Sequence, residues 1–274
     1  MTTTIAIASR PKNERLRFTS ALRSEWTKIR TVRSTFWTLF AIAIISLGVA
    51  AIAGISITHS WHTYSQIQRL TFDPTSTSLS GLLFSQLVIG VLGALVVSGE
   101  YATGTIRATF TAIPNRTSAM FAKTIVFGTL SLVVGEVLSF ASFFLGQSLL
   151  TSPATHASIS DSGVFRAVFG EGLVITALGL LALGLAMIIR SSAGAITAYV
   201  SIVLVLPIII HVLPSSIANS IFKFLPLKIG NAMTTVVGPN DPTSFSPWVG
   251  LAILCGYAAF SIIIGIGLVV KRDA

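Results

Sequence analysis

The sequence predicts an all-α polytopic membrane protein: six transmembrane helices behind an N-terminal amphipathic interfacial helix, with both termini cytoplasmic. Three observations predict it. Hydrophobic residues make up 53% of the 274-residue chain and charged residues only 10%, against roughly 25% charged in a soluble domain. So few polar groups cannot cover a water-facing surface; the chain needs lipid as solvent, where only helices satisfy the backbone of such segments. Six apolar runs are long enough to cross a bilayer at roughly 20 residues each. Finally, 8 of the 18 Lys and Arg lie before residue 34, ahead of the first apolar run, the asymmetry that orients a membrane chain.

Residues 1–19 are polar and basic without a period, and read as a cytoplasmic tail. Over 20–34, Leu22, Trp26, Ile29 and Val32 or Arg33 recur at steps of four, three and three, one helix face. Arg23, Lys28 and Arg30 fall elsewhere, so this helix is expected to lie in the headgroup plane; the alternative is a cytoplasmic extension of the first span. The first span covers about 35–57. The small residues Ala51, Ala53 and Gly54 resemble a cleavage site, but the preceding basic region exceeds 30 residues and the apolar run exceeds the usual 7–15 or so of a leader. Residues 58–77 form a loop with His59, Trp61, His62 and Tyr64. The His59 and His62 spacing suits a metal on a helix, yet no third ligand is near, and polar aromatics favour the interface anyway.

The second span is about 78–98, with Gly81, Gly90 and Gly93 permitting close helix approach. A polar loop at 99–118 follows, then a long third span at 119–149. Residues 150–165 lack Lys and Arg. The fourth span is 166–189, Arg190 and Ser191 make a tight return, and the fifth span is 193–213. Residues 214–247 contain Pro214, Pro226, Pro239, Pro242 and Pro247, with a re-entrant or surface helix expected at 217–227. The sixth span is 248–270, and 271–274 is a short tail. With the N-terminus inside, cytoplasmic segments hold 14 of the Lys and Arg and outer segments 4 (Arg69, Arg166, Lys223, Lys228), which sets the topology. The net charge of +9 is therefore orientation charge, not a nucleic-acid face.

Chemistry-bearing motifs are sparse. Gly-Lys never occurs in the chain, so there is no GxxxxGK[ST] phosphate cradle, and neither GxSxG nor HExxH is present. No catalytic residue and no metal site are expected. The single Cys255 is expected to pack in the core. Glu136 falls roughly 20 Å past Lys123 along its helix, past mid-membrane. An acid there is functional by default, as a proton relay or substrate contact, or else is a protonated acid bonded to a neighbouring Ser or Thr. Glu171 is expected near the outer interface, paired with Arg166. His211 is either a packing residue or a proton carrier.

The loop after the second span is the most informative stretch. Glu100 sits where the span meets the cytoplasm, Tyr101 supplies an interfacial aromatic, and Gly104 permits a turn. Thr105 to Ala112 can form a short helix, stopped before Pro114. Arg107 and Arg116 can reach acids on another protein; the plainer reading is an ordinary positive-inside loop.

The run Gly99-Glu100-Tyr101-x-x-Gly104-Thr105-Ile106-Arg107-x-x-Phe110-Thr111-x-x-Pro114-x-Arg116 resembles the first cytoplasmic loop of type-2 ATP-binding cassette exporter permeases, especially the small six-span subunits common in actinobacteria. Ser24 to Thr31 and Trp37-Thr38 are similar to the start of that family. The resemblance implies that the loop is a coupling helix docking on a separate ATP-binding subunit through Glu100, Tyr101, Gly104, Thr105, Arg107 and Arg116. It implies two cassette copies carrying ATP and Mg, and no cofactor in this chain. It also implies a second permease chain, identical or homologous, with spans two and five lining the path and 214–247 helping to close its exit, in a bacterial plasma membrane. Candidate path residues are Gly90, Gly93, Glu136 and His211. A path of apolar and small residues suits a hydrophobic or amphipathic cargo such as a peptide antibiotic, drug or lipid. The competing readings are a proton- or ion-coupled carrier without a cassette, and a non-transporting membrane anchor or sensor.

Overall fold

The computed structural model describes residues 14–113, 115–212, 214, 220–237 and 244–272, and all regular elements among them are helical. Helix α1 is Glu14–Thr31, α2 Arg33–Ser60, α3 Gln66–Leu70, α4 Pro74–Leu79, α5 Leu82–Thr103, α6 Thr105–Ala112, α7 Arg116–Leu149 and α8 Val164–Ile189. Helix α9 (Ser192–Val200) passes through a widened π turn, Ser201–Val205, into α10 (Leu206–His211); α11 is Pro226–Thr234 and α12 Pro247–Arg272. Six of these segments are long and apolar enough to cross a membrane: Arg33–Thr63, Leu82–Thr103, Arg116–Leu149, Val164–Ile189, Ser192–Ile210 and Pro247–Arg272.

Local chemistry explains the boundaries. The second span begins at 82 because Asp73 caps a separate α4: its Oδ1 accepts from the amides of Thr75 (3.0 Å) and Ser76 (3.1 Å), and Pro74 occupies the first helical turn, where a missing N–H costs nothing. At its other end α5 continues through Glu100 to Thr103, where Gly104 at φ 73° turns the chain into α6. A Cβ on Gly104 would meet no atom within 4 Å, so the left-handed backbone, not space, calls for glycine. The π turn precedes Pro207, which has no N–H to donate and crowds the carbonyl of the turn before it; the wider turn accommodates that fault.

Helix α8 is the centre of the bundle, packed by α5, α7, α9 and α12. Two apolar clusters meet along it. One contains Leu82, Ile89, Phe127 and Phe143; the other contains Leu178, Tyr199, Met233 and Leu254. The remaining spans turn much of their apolar surface outward, as at Phe36, Trp37, Phe144, Phe260 and Ile263. Cys255 belongs to this outward surface rather than to the core. A thiol is apolar enough for a lipid-facing position, so burial habits from water-soluble proteins do not transfer.

The first helix begins at Glu14, earlier than residue 20, and its buried face differs from the apolar stripe. Ala21 and Glu25 are buried, Leu22 and Ile29 are half-buried, and Trp26 is 48% exposed. Trp26 thus faces away from the bundle, while an acid faces in. The helix expected at 217–227 lies partly outside the described residues; of those described, 220–222 are helical, and after a turn at 223–225 a separate helix, α11, is started by Pro226.

At the end of the bundle opposite α6, two side chains seat the segment after α11. Asp73 Oδ2 accepts from the amides of Val236 (2.7 Å) and Val237 (3.0 Å). Arg166 donates to the carbonyls of Met233 (2.6 Å) and Thr235 (3.0 Å). Asp73→Ala is expected to remove a cap worth about 1 kcal/mol and leave both valine amides without their acceptor. Hydrogen exchange at Val236 and Val237 should then speed up by about fivefold, the kinetic equivalent of that energy; unchanged exchange would show that the clasp is incidental.

Candidate coupling site

The site grows from an unfavourable fact. Lys123 lies two turns inside α7 among Ala119, Met120, Ala122 and Val126, and is 2% exposed. A lone ammonium there would be intolerable, so it must be paired. Its Nζ donates to Glu25 Oε2 of α1 (2.6 Å) and Glu100 Oε1 of α5 (2.8 Å). Lys28 of α1 repeats the pattern, donating to Glu25 Oε1 (2.6 Å) and Glu100 Oε1 (2.8 Å). It also reaches Thr109 Oγ1 of α6 at 3.3 Å. Two ammonium groups and two carboxylates make a neutral tetrad, with each base bridging both acids. It joins four elements: the first helix, the end of span two, the short helix and the start of span three.

Helix α6 is held to this joint and to the core. Ile106 is its buried anchor, while Arg107 and Thr105 are exposed. Beneath it lies a cavity of about 680 Å3 whose lining includes Tyr101, Arg107, Phe110, Arg116 and Arg190. Arg116 stacks over Phe110 at 5.4 Å and Arg190 over Tyr101 at 5.1 Å. Arg190 also donates to the carbonyl of Leu268 on α12 (3.3 Å), so the turn after span four and the end of span six meet the loop. Its backbone is left-handed at φ 60°, a conformation costing a non-glycine residue about 1–2 kcal/mol, which the stacking and the α8 cap offset. On the other side of α6, a cleft of about 720 Å3 runs between α1, α2 and α5, with Ile29, Thr35, Leu95 and Val96 on its walls and Lys28 and Glu100 at its charged end.

These features describe a short helix clipped across the end of an apolar bundle by charged groups from two other helices, Lys28 of α1 and Arg116 of α7. Residues 21–209 match the family model described as ABC-2 family transporter protein. The chain belongs to the ABC-2 transporter family. It is a multi-pass membrane protein and a permease subunit of an ABC exporter, a component of the transport path rather than the catalytic part, and the family implies an ATP-binding cassette partner. A comparison with curated proteins found no match.

In this ABC-2 permease the loop residues singled out from sequence fall into two groups. Arg107, Arg116 and Tyr101 line the cavity with Gly104, and Thr105 is exposed beside it. Glu100 turns inward instead, its side chain 12% exposed. Pro114 lies outside the described residues. Glu25 and Lys123, which complete the joint, escaped the sequence reading: Lys123 counted only as orientation charge. Its signal was a lysine already inside an apolar run, with a Glu25–Lys28 pair at i, i+3 upstream.

The path candidates do not converge on one surface. Gly90 is closed by the buried Tyr199 ring, and Gly93 by the Gly179 carbonyl and Phe127; both glycines serve close packing within the permease. The side chain of His211 lies outside what the structure describes. Glu136 packs its carboxyl against Gly172 of α8, and neither oxygen has a hydrogen bond. The expected Ser or Thr partner is absent among the described residues, since Ser139 donates to Val168 instead. Glu171 is not paired with Arg166, which binds backbone at 233 and 235; it is 2% exposed and accepts from Gln86 Nε2 of α5 at 2.8 Å. Five residues place Arg166 on a different face of α8 from Glu171, which is why the sequence pairing fails.

Proposed function

We propose that this chain forms, with a second permease chain, the substrate path of an exporter powered by two separate ATP-binding subunits that carry ATP and Mg. Helix α6 is the coupling helix, both termini and the 99–118 loop are cytoplasmic, and the membrane is a bacterial plasma membrane. Arg107, Arg116, Tyr101 and Thr105 present the docking surface, and Glu100 supports it from within. One observation carries the reading: the charged tetrad binds α1, α5 and α7 to one another and reaches α6 through the Lys28–Thr109 hydrogen bond, so a push on this short helix is delivered to a joint shared by two spans and the interfacial helix. Without that joint an eight-residue surface helix would bend on its loop. The apolar cleft beside the joint suits a hydrophobic or amphipathic cargo.

The test begins with affinity purification of the tagged chain. An ATP-binding protein should accompany it, and transport into inverted vesicles should stop without ATP. Arg107→Glu, on an exposed side chain, should lower export about tenfold or more while the spans stay folded, because a like-charge contact at an interface costs several kcal/mol. Transport that continues without ATP would favour a carrier working alone. Export unchanged in both Arg107→Glu and Arg116→Glu would reduce the loop to orientation charge.

A further inference from the structure

A second polar site lies far along α5 from the charged tetrad. Gln86 and Glu171 are 5% and 2% exposed and meet where α5 crosses α8. Gln86 Nε2 donates to Glu171 Oε1 at 2.8 Å. The other two heavy atoms of this contact, Gln86 Oε1 and Glu171 Oε2, are both buried and both lack a hydrogen bond. Two acceptors belonging to one contact are thus left without a donor, a costly fault in a medium with no water to repair it.

Among the described residues no charged side chain is bonded to Glu171. From α9, Tyr199 gives its hydroxyl to the Gln86 carbonyl at 2.7 Å. From α11, Gly230 lies beside Gln86, and Lys228 of that helix lies over the Phe222 ring. From α7, the nearest acid is Glu136, packed on Gly172. Arg166 on α8 itself binds the carbonyls of Met233 and Thr235. The ion pairs among the described residues all belong to the tetrad.

We infer that Glu171 is a neutral carboxylic acid whose proton on Oε2 is donated to Gln86 Oε1, closing a two-bond acid–amide ring between spans two and four. One proton turns both stranded acceptors into a donor–acceptor pair and removes the charge. All four heavy atoms are then satisfied with no water and no counter-ion. Because Tyr199 grips the same glutamine through its backbone, the ring also ties in span five, beneath α11. It is a proton-holding pin, and its proton is committed to Gln86 rather than free for relay.

The test uses the whole purified protein in lipid nanodiscs at pH 7. Infrared spectra should show a protonated-carboxyl stretch that shifts in D2O, disappears in Glu171→Gln and survives in Glu136→Gln. Thermal unfolding gives an independent readout. Glu171→Gln should unfold like the parent, since two amides form the same ring. Gln86→Leu should unfold about 3–8 °C lower, having stranded the acid, and the swapped Gln86→Glu/Glu171→Gln chain should recover. A band that is absent, or lost only in Glu136→Gln, overturns the proposal. So does a melting temperature that rises with sodium over choline chloride in the parent but not in Glu171→Gln, which would assign the site to a bound cation.

Discussion

Lys123→Met is expected to destabilise the fold by about 3–5 kcal/mol, the penalty for removing one partner of a buried ion pair. The reason is geometric. Lys123 is the buried base of the tetrad, and without it Glu25 and Glu100 face each other across the one remaining ammonium, Lys28, whose side chain is 43% exposed. Two carboxylates then share one cation in an apolar setting. Thermal unfolding in a single detergent measures the loss, and hydrogen exchange on 105–112 should show α6 loosening with it. The companion variant Glu25→Gln/Lys123→Met removes one charge of each sign and is expected to recover much of the loss, because neutral replacement of a buried pair is far cheaper than halving it. If the single and double variants unfold alike, the joint is not held by charge. Lys28 itself is insensitive to physiological pH. Burial alone would pull its ammonium down, but its hydrogen bonds to Glu100 and Glu25 outweigh that and hold it above its ordinary 10.5. A base raised in this way contributes its full stability below 10.5 and loses it only as pH climbs through the higher folded value.

Gly90→Val is expected to cost about 3 kcal/mol, at the upper end of ordinary overpacking. Any side-chain carbon at residue 90 would overlap Cε1, Cζ and the hydroxyl of Tyr199. The ring cannot retreat, since Tyr199 is fully buried and its hydroxyl is bonded to the Gln86 carbonyl one turn away on the same helix as Gly90. The clash therefore wedges α5 from α9. Adding Tyr199→Leu to Gly90→Val should restore part of the stability by vacating the ring volume, and a double-mutant cycle on unfolding temperatures reads the coupling. Additive effects of the two substitutions would mean that α5 and α9 separate freely at this level.

Much of the architecture was legible because it depends on short-range chemistry. Six apolar runs appear as six helices long enough to span, since a run that cannot be solvated in any other form must be helical. Helix α6 occupies Thr105–Ala112, the stretch bounded in sequence by Gly104 and Pro114, because a left-handed turn and a helix-stopping residue act within one or two positions. The start of α5 lies four residues after the expected 78, since Asp73 and Pro74 start a separate helix, α4, that takes in Ser78 and Leu79, the first residues of the expected span.

The sites were less legible, for one physical reason. In water an amphipathic stripe shows which side of a helix faces the core; in lipid both sides are apolar, and the facing direction disappears from the pattern. The partners that matter are 98 residues apart in Glu25 and Lys123 and 85 apart in Gln86 and Glu171. A rotation of one helix by a single residue would separate either pair. By itself, then, the sequence determined the membrane class, the number of spans, the short helix after the second span and the resemblance to exporter permeases. All of these follow from composition and from residues within a turn of one another. Only the tertiary structure decided that Glu25 and Lys123 close the joint under that helix, that Glu100 supports the joint from inside, and that Glu171 answers Gln86 rather than Arg166. Those outcomes depend on how each helix is rotated about its own axis, and packing against small residues such as Gly90, Gly93 and Gly172 sets that rotation.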